Sequence, residues 1–390
     1  MAGAPTWTSG GRDPGRECIL CGRCLEVCPL FLATGQEELS PRAKFVLTQT
    51  LAKPGTKLSE KACADLAGLC LSCGRCASVC PQDLKGADLV AALRAAHPGF
   101  ATWLWTQWVA KAPLLWPRAA GLARLLPDLP EGLASRLGAL ATAFSGLKSM
   151  ADVWTETPWL TVEAFSATGQ GRPLALFAGC AALYARPRWK ERAEQLLASL
   201  GFSLLSLDFT CCGGTLGQAG QPDLKDRARV RNLSLWREAG RPLVATLCAS
   251  CQHTLGGYAA DPQAGQEWKA ALVPLTGLLE ETAFLSLESA PRDVYYHVPC
   301  HDEGGGDFAF LRRALLGRVQ TTGQGQCCGF GGVLRLGAPA LADRVNARLW
   351  SAASPAPGSQ VLTGCAACAL RLAQTAPAGV AAGHWLDILA

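Results

Sequence analysis

Two stretches of the chain read almost alike: Cys18–Pro29, "CILCGRCLEVCP", and Cys70–Pro81, "CLSCGRCASVCP". Each is Cys-x2-Cys-x2-Cys-x3-Cys-Pro. Three cysteines at that spacing wrap one face of a cubane iron–sulfur cluster, and the fourth leaves on the next segment, where in two-cluster proteins it ligates the other cluster. The spacing therefore predicts one [4Fe–4S] cluster on Cys18, Cys21, Cys24 and Cys80, and a second on Cys70, Cys73, Cys76 and Cys28. A pair of zinc knuckles is the competing reading. It accounts poorly for a doubled eight-cysteine match in which each copy keeps its trailing proline.

Between these motifs, "SPRAKFVLTQTLA" and "SEKACADLAGLC" have helical periodicity, with Ser40 and Ser59 placed as N-caps. Helices rather than a tight hairpin thus separate the two cysteine groups, similar to the helical ferredoxin modules of respiratory enzymes. Cys63 lies on one of these helices without a partner at ligand spacing and reads as a small buried hydrophobe.

Composition points the same way. A chain of 390 residues, 49% of them hydrophobic, can build two or three cores without covalent staples, yet it carries 19 cysteines. Those cysteines are read as chemistry. No secretory signal is recognised near the start, and no run of about 18 uncharged apolar residues is present, so a reducing cytoplasmic setting is expected. There, dense cysteine favours metal over disulfides. With only five histidines, any metal is held mainly by thiolate, which selects zinc or iron–sulfur. A net charge of +5 over this length does not suggest a nucleic-acid partner.

Nine cysteines fall between positions 18 and 80, none between 81 and 179, and ten between 180 and 368. Within the gap, Trp103, Trp105, Trp108 and Trp116 cluster in a basic segment, which Pro113, Pro117, Pro127 and Pro130 are expected to break into short helical pieces. It reads as a connector that packs on its neighbours, with peripheral membrane contact as the alternative. The stretch 151–171 reads as linker.

From Arg172 the sequence repeats. One copy carries Cys180, Cys211, Cys212, Cys248 and Cys251, and the next carries Cys300, Cys327, Cys328, Cys365 and Cys368. Matching cysteines are 120, 116 and 117 positions apart, the mark of a duplicated domain. β-like runs lead into the cysteines and helical runs lie between, which implies α/β units with parallel pairing and cysteines beyond the strand ends. Five thiolates exceed what tetrahedral zinc or a simple cubane needs. The vicinal pairs "CCGG" and "CCGF" therefore suggest a larger, less symmetric cluster, with a four-cysteine zinc site as the alternative.

At these residues the chain resembles the cysteine-rich "CCG" domain. That domain occurs in heterodisulfide reductases, the glycolate oxidase iron–sulfur subunit, anaerobic glycerol-3-phosphate dehydrogenase and lactate-utilisation proteins. The order of two ferredoxin motifs, helical connector and two CCG domains is most similar to the glycolate oxidase iron–sulfur subunit. "LFLATGQEELSPRAKFVL" and the terminal "HWLDILA" add to that likeness. The expected fold is an α+β and α/β multidomain chain. A helical two-cluster ferredoxin domain (1–97) is followed by a connector (98–171), a first CCG domain (172–285) and a second (286–390). The resemblance implies noncubane [4Fe–4S] clusters in one or both CCG sites, beside the two cubanes. Completeness of both cysteine sets is the pattern of heterodisulfide reductases.

No G-x-G-x-x-G supports a dinucleotide site. His297 and His301 flank Cys300; His301 and Asp302 are expected to cap the following helix, with a ligand or proton-relay role of the histidines near the cluster as the alternative. No residue is assigned as catalytic. Three readings follow. In the first, the chain is the electron-transfer subunit of a flavin-dependent glycolate or D-lactate dehydrogenase. It takes electrons from a separate FAD subunit and passes them to a quinone, ferredoxin or electron-transfer flavoprotein. The second is a disulfide-reducing subunit acting at a CCG cluster, and the third a zinc-bound scaffold.

Overall fold

The computed structural model describes residues 17–51, 59–123, 158–165, 168–302 and 304–390. Each N-terminal cysteine loop runs into a short helix, α1 (Arg23–Val27) and later α5 (Arg75–Ser78). Both start from a glycine in the left-handed region, Gly22 at φ 79° and Gly74 at φ 75°, a turn that L-residues rarely make. Pro29 opens α2 (Pro29–Thr34) at the first position, where its missing N–H costs nothing. Ser40 Oγ accepts from Ala43 N at 3.2 Å ahead of α3 (Pro41–Leu51), and Ser59 Oγ accepts from Ala62 N at 3.2 Å ahead of α4 (Glu60–Gly68). Both helices thus begin at the serines that the sequence marks, and α6 (Gly86–Ala96) closes this helical unit.

The connector forms α7 (Phe100–Ala110) and α8 (Ala112–Ala123). Pro117 lies inside α8 and does not end it, contrary to the expectation from sequence. The adjacent Trp116 anchors the turn. It is buried, stacks at a tilt on Trp108 with centroids 5.9 Å apart, and donates Nε1–H to the Trp108 carbonyl at 3.0 Å. Pro127 and Pro130 lie outside the described residues. The tryptophans face different ways. Trp105 packs edge-on against Phe330 of the second repeat, whereas Trp103 is exposed. Among the described residues no helix is long and apolar enough to cross a membrane.

The duplication appears as two four-stranded sheets, parallel throughout. The first has the order β3-β2-β4-β5, with β2 Pro173–Phe177, β3 Ser203–Leu205, β4 Leu243–Thr246 and β5 Leu272–Pro274. The second has the matching order β8-β7-β9-β10, with β7 Val294–Tyr296, β8 Val319–Thr321, β9 Gln360–Thr363 and β10 Ala381–His384. The stretch read as linker is structured where it is described. Leu160–Ala164 (β1) pairs antiparallel with Ala283–Ser286 (β6), and Trp159 and Leu160 are buried. Its partner strand comes from the junction between repeats, so local sequence could not reveal the pairing.

The C-terminal segment ties the repeats together. Trp189 of the first repeat donates to Asp387 Oδ1 at 2.5 Å, and Arg192 donates to the carbonyls of Leu386 and Asp387 at 2.7 and 2.8 Å. Arg94, fully buried on α6, ties the ferredoxin unit to the first repeat. It makes four hydrogen bonds, to the Ala67, Cys70 and Gln218 carbonyls and to Ser72 Oγ. Arg94→Met leaves three carbonyls without their donor, at about 1–3 kcal/mol each. It should lower the thermal midpoint of the holoprotein, and limited proteolysis should separate the ferredoxin unit from the repeats. An unchanged midpoint would show that this junction does not depend on Arg94.

Candidate metal centres

All 19 cysteines are free. In the ferredoxin unit they surround two small cavities. One is lined by Cys18, Cys21, Cys24 and Cys80, the other by Cys28, Cys70 and Cys73, and Cys76 borders both. The fourth cysteine of each motif thus sits with the first three of the other, with α3 and α4 lying between the two loops in the chain. Burial pushes the Cys73 thiol up to about 11 and that of Cys76 to about 12. Metal binding must displace those protons. Lys44 lines the second cavity, and its Nζ donates to the Leu39 carbonyl at 2.6 Å. Burial lowers its pKa, while the nearby Cys70, Cys28 and Cys76 work against that shift.

In the repeats every cysteine follows the carboxyl end of a parallel strand. Cys180 comes after β2, Cys211 and Cys212 after β3, and Cys248 after β4 as the N-cap of helix Ala249–Gly256, which carries Cys251. The second repeat does the same, with Cys365 as the N-cap of helix Ala366–Thr375, which carries Cys368. The Cys180, Cys211, Cys212, Cys251 and Cys248 thiols stand close enough, each to the next, to shift one another's acidity. The same holds from Cys365 to Cys368, Cys328 and Cys327.

The two sets also touch. Cys248 bonds Cys365, Ala366 N donates to Cys248 Sγ at 3.4 Å, and Ser250 Oγ lies 3.1 Å from Cys365 Sγ. Backbone contact between Ala249 N and the Gly364 carbonyl at 2.9 Å locks this meeting. Gly179 is at φ 75°, and a Cβ there would stand 3.0 Å from Cys251 Sγ, so glycine keeps the thiol cradle open.

The electrostatics divide the sulfurs. The Cys180 thiol and burial push Cys211 up to about 12. Cys365 and Cys328 are held well below the usual thiol range despite burial. For Cys365 the cause is hydrogen bonds with Cys248 and Cys368, and for Cys328 with Cys327 and Cys368. Cys300 has no such close thiol neighbour among its leading influences. Burial raises it first, followed by the charges of Cys73 in the ferredoxin unit and of Cys328. Cys327 shares one buried cluster with Cys28, with Cys73 packed against it. Arg75 pins this junction by donating to the Gly325 carbonyl and, at 2.6 Å, to that of Gln326. The second repeat's site therefore adjoins the second ferredoxin cavity.

A converging free-thiol donor set, mostly buried in the repeats and mostly half-buried in the ferredoxin unit, fits iron–sulfur clusters in both units. Sequence reading overlooked Lys44, Arg75 and Arg94. A lone arginine in the Ala/Leu-rich helix "GADLVAALRAA" was the one available signal. His301 does not cap the next helix, which starts at Gly306 behind left-handed Gly305. Its ring instead stacks on His253 at 4.6 Å and lies 3.3 Å from Ser250 Oγ, because the first repeat's helix Ala249–Gly256 lies against it. Asp302 does not cap that helix either: it accepts from Gly305 N at 3.2 Å in the turn before the helix. Cys63 is buried on α4.

Residues 15–84 match the 4Fe–4S dicluster domain family, and residues 174–256 and 294–373 match the cysteine-rich domain family. The chain therefore carries one dicluster domain and two cysteine-rich domains and binds several 4Fe–4S clusters. It is 23% identical over 344 residues to an uncharacterized iron–sulfur protein of Methanococcus maripaludis, covering 85% of this chain and 62% of that protein. It thus spans under two thirds of that relative's length. It is 25% identical over 362 residues to a subunit of the dihydromethanophenazine:CoB–CoM heterodisulfide reductase of Methanosarcina acetivorans, covering 83% of this chain and 80% of that one. A shorter match, 36% over 74 residues, links it to a probable glycolate oxidase iron–sulfur subunit of Bacillus subtilis, covering 19% of this chain and 16% of that one.

Two substitutions separate ligand from packing. Cys73→Ser should cost about four irons per chain and one cubane signal, leaving the other clusters spectroscopically present. Cys63→Ser should leave the iron content unchanged, and a loss of about four irons would make Cys63 a ligand.

Proposed function

From a chain that joins a 4Fe–4S dicluster domain to two cysteine-rich domains, we propose an iron–sulfur electron-transfer subunit of a flavin-dependent 2-hydroxy-acid dehydrogenase of the glycolate or D-lactate type. A separate FAD subunit oxidises the substrate, and this chain carries electrons onward to a quinone or another carrier on the cytoplasmic side. The cubanes are assigned to Cys18, Cys21, Cys24 and Cys80 and to Cys28, Cys70, Cys73 and Cys76. Each five-cysteine set of the repeats is assigned a further [4Fe–4S] cluster. The observation that carries this reading is the adjacency of the sites: Cys327 of the second repeat shares a buried cluster with Cys28 of the ferredoxin unit, against which Cys73 packs, and Ala366 N donates to Cys248 Sγ where the two repeats meet.

Clusters bound at these thiols supply one-electron transfer. The chain's own residues fix the spacing, while Lys44 and Arg75 bring positive charge to the ferredoxin junction.

A second reading, disulfide reduction at the cysteine-rich site, is favoured by the direct contact of the two sets at Cys248 and Cys365 and by the extended match to a heterodisulfide reductase subunit. Anaerobic reconstitution separates the two. The first reading predicts no hydroxy-acid oxidation by this chain alone, and dye reduction once the flavoprotein that co-purifies with it is added. Thiol release from glutathione disulfide by the isolated, dithionite-reduced chain would establish the second reading. Hydroxy-acid turnover by the chain alone would refute both.

A further inference from the structure

The two cysteine-rich sites differ at one buried position. Three residues before the first cysteine of each set stands Phe177 in the first repeat and His297 in the second. Both are about 1% exposed. Phe177 packs on Phe209, with centroids 5.3 Å apart, and offers its site only hydrocarbon. His297 brings a ring nitrogen to Cys328 Sγ and Cys368 Sγ, the three atoms lying within 4.8 Å of one another.

We propose that His297 donates its Nε2–H to the sulfur of Cys328, and so makes the second cysteine-rich cluster the higher-potential one of the pair. The inference rests on the reading that both repeats hold iron–sulfur clusters.

Three observations carry it. A buried imidazole needs partners for both nitrogens. Nδ1 lies 3.3 Å from the hydroxyl of Thr322, itself about 1% exposed, which leaves Nε2 for the sulfurs. The main chain fixes the ring's position, since His297 N donates to the Leu362 carbonyl at 2.8 Å, one residue beyond the β7–β9 ladder. Cys328 stands in the same close trio as His297 and Cys368, and its acidity is the one that Cys327, Cys368 and His297 raise together.

An N–H aimed at a ligand sulfur favours the extra negative charge of the reduced cluster and raises its potential. With five cysteines already in the set, His297 acts through Cys328 as a positioning and tuning residue rather than as a ligand. Because the second set adjoins the ferredoxin unit at Cys300 and Cys327, the higher-potential cluster stands at the junction of the chain's two halves, where it collects electrons from either side.

The test is a potentiometric titration of the anaerobic holoprotein, followed by electron paramagnetic resonance. Two midpoints are expected beyond those of the ferredoxin clusters. His297→Phe, which copies the first repeat, should lower the higher of these towards the other, with the iron content and ferredoxin midpoints unchanged. His297→Gln, which keeps an N–H at similar reach, should restore most of the shift. Wild-type protein labelled with 15N-histidine should show a weak 15N coupling on the second cysteine-rich cluster, so the proposal remains testable even if the Phe variant does not load iron. A midpoint unmoved at full iron content overturns the role of His297 and leaves the cluster reading intact. A strong, directly bonded 15N coupling also overturns it, by making His297 a ligand. About eight irons per chain, with no signal beyond the ferredoxin clusters, would overturn both.

Discussion

A lone thiol packs readily inside a protein as a small hydrophobe, but thiols crowded together are another matter. Buried in quantity they either pair as disulfides or hold metal, and here they do not pair: all are free, many are raised by burial, and they stand in contact with one another. The rest of the structure follows from keeping these sulfurs together and, in the repeats, mostly out of water. Parallel strands present them at their carboxyl ends, helix N-termini meet them at Cys248 and Cys365, and glycine stands where a side chain would fill their cradle.

The meeting of the two repeats is the second consequence. Gly364 cannot carry a side chain, because a Cβ there would collide with Asp307. Its carbonyl takes the amide of Ala249 and so draws the two Cys-x2-Cys turns into contact. Asp307 is pushed up to about 6 by burial and held by Thr276 at 2.8 Å and Tyr296 at 3.4 Å. His384, lowered to about 4 by burial, bonds the Leu247 carbonyl from across the repeats. A duplicated domain becomes one centre through these few polar groups.

Much of this was legible in the residues themselves. Doubled motifs, the near-constant offset between repeats, the caps at Ser40 and Ser59, and the strands leading into each cysteine group all depend on local spacing, which sequence carries directly. What stayed hidden depends on partners distant in the chain. β1 exists because the junction between repeats supplies β6. Pro117 is absorbed because Trp116 anchors its turn, and His301 leaves its expected cap for a stack on His253. The buried cations Lys44 and Arg94 look like ordinary solvated side chains until the fold closes over them.

The central claim is that the repeats, like the ferredoxin unit, gather their thiols around iron. Anomalous diffraction at the iron edge from crystals grown under strict exclusion of oxygen addresses it directly. Four compact iron peaks are predicted, two between the crossed N-terminal motifs and two at the joined sets around Cys212 and Cys328. Peaks confined to the N-terminal motifs, with none or only a zinc-edge signal in the repeats, would contradict it.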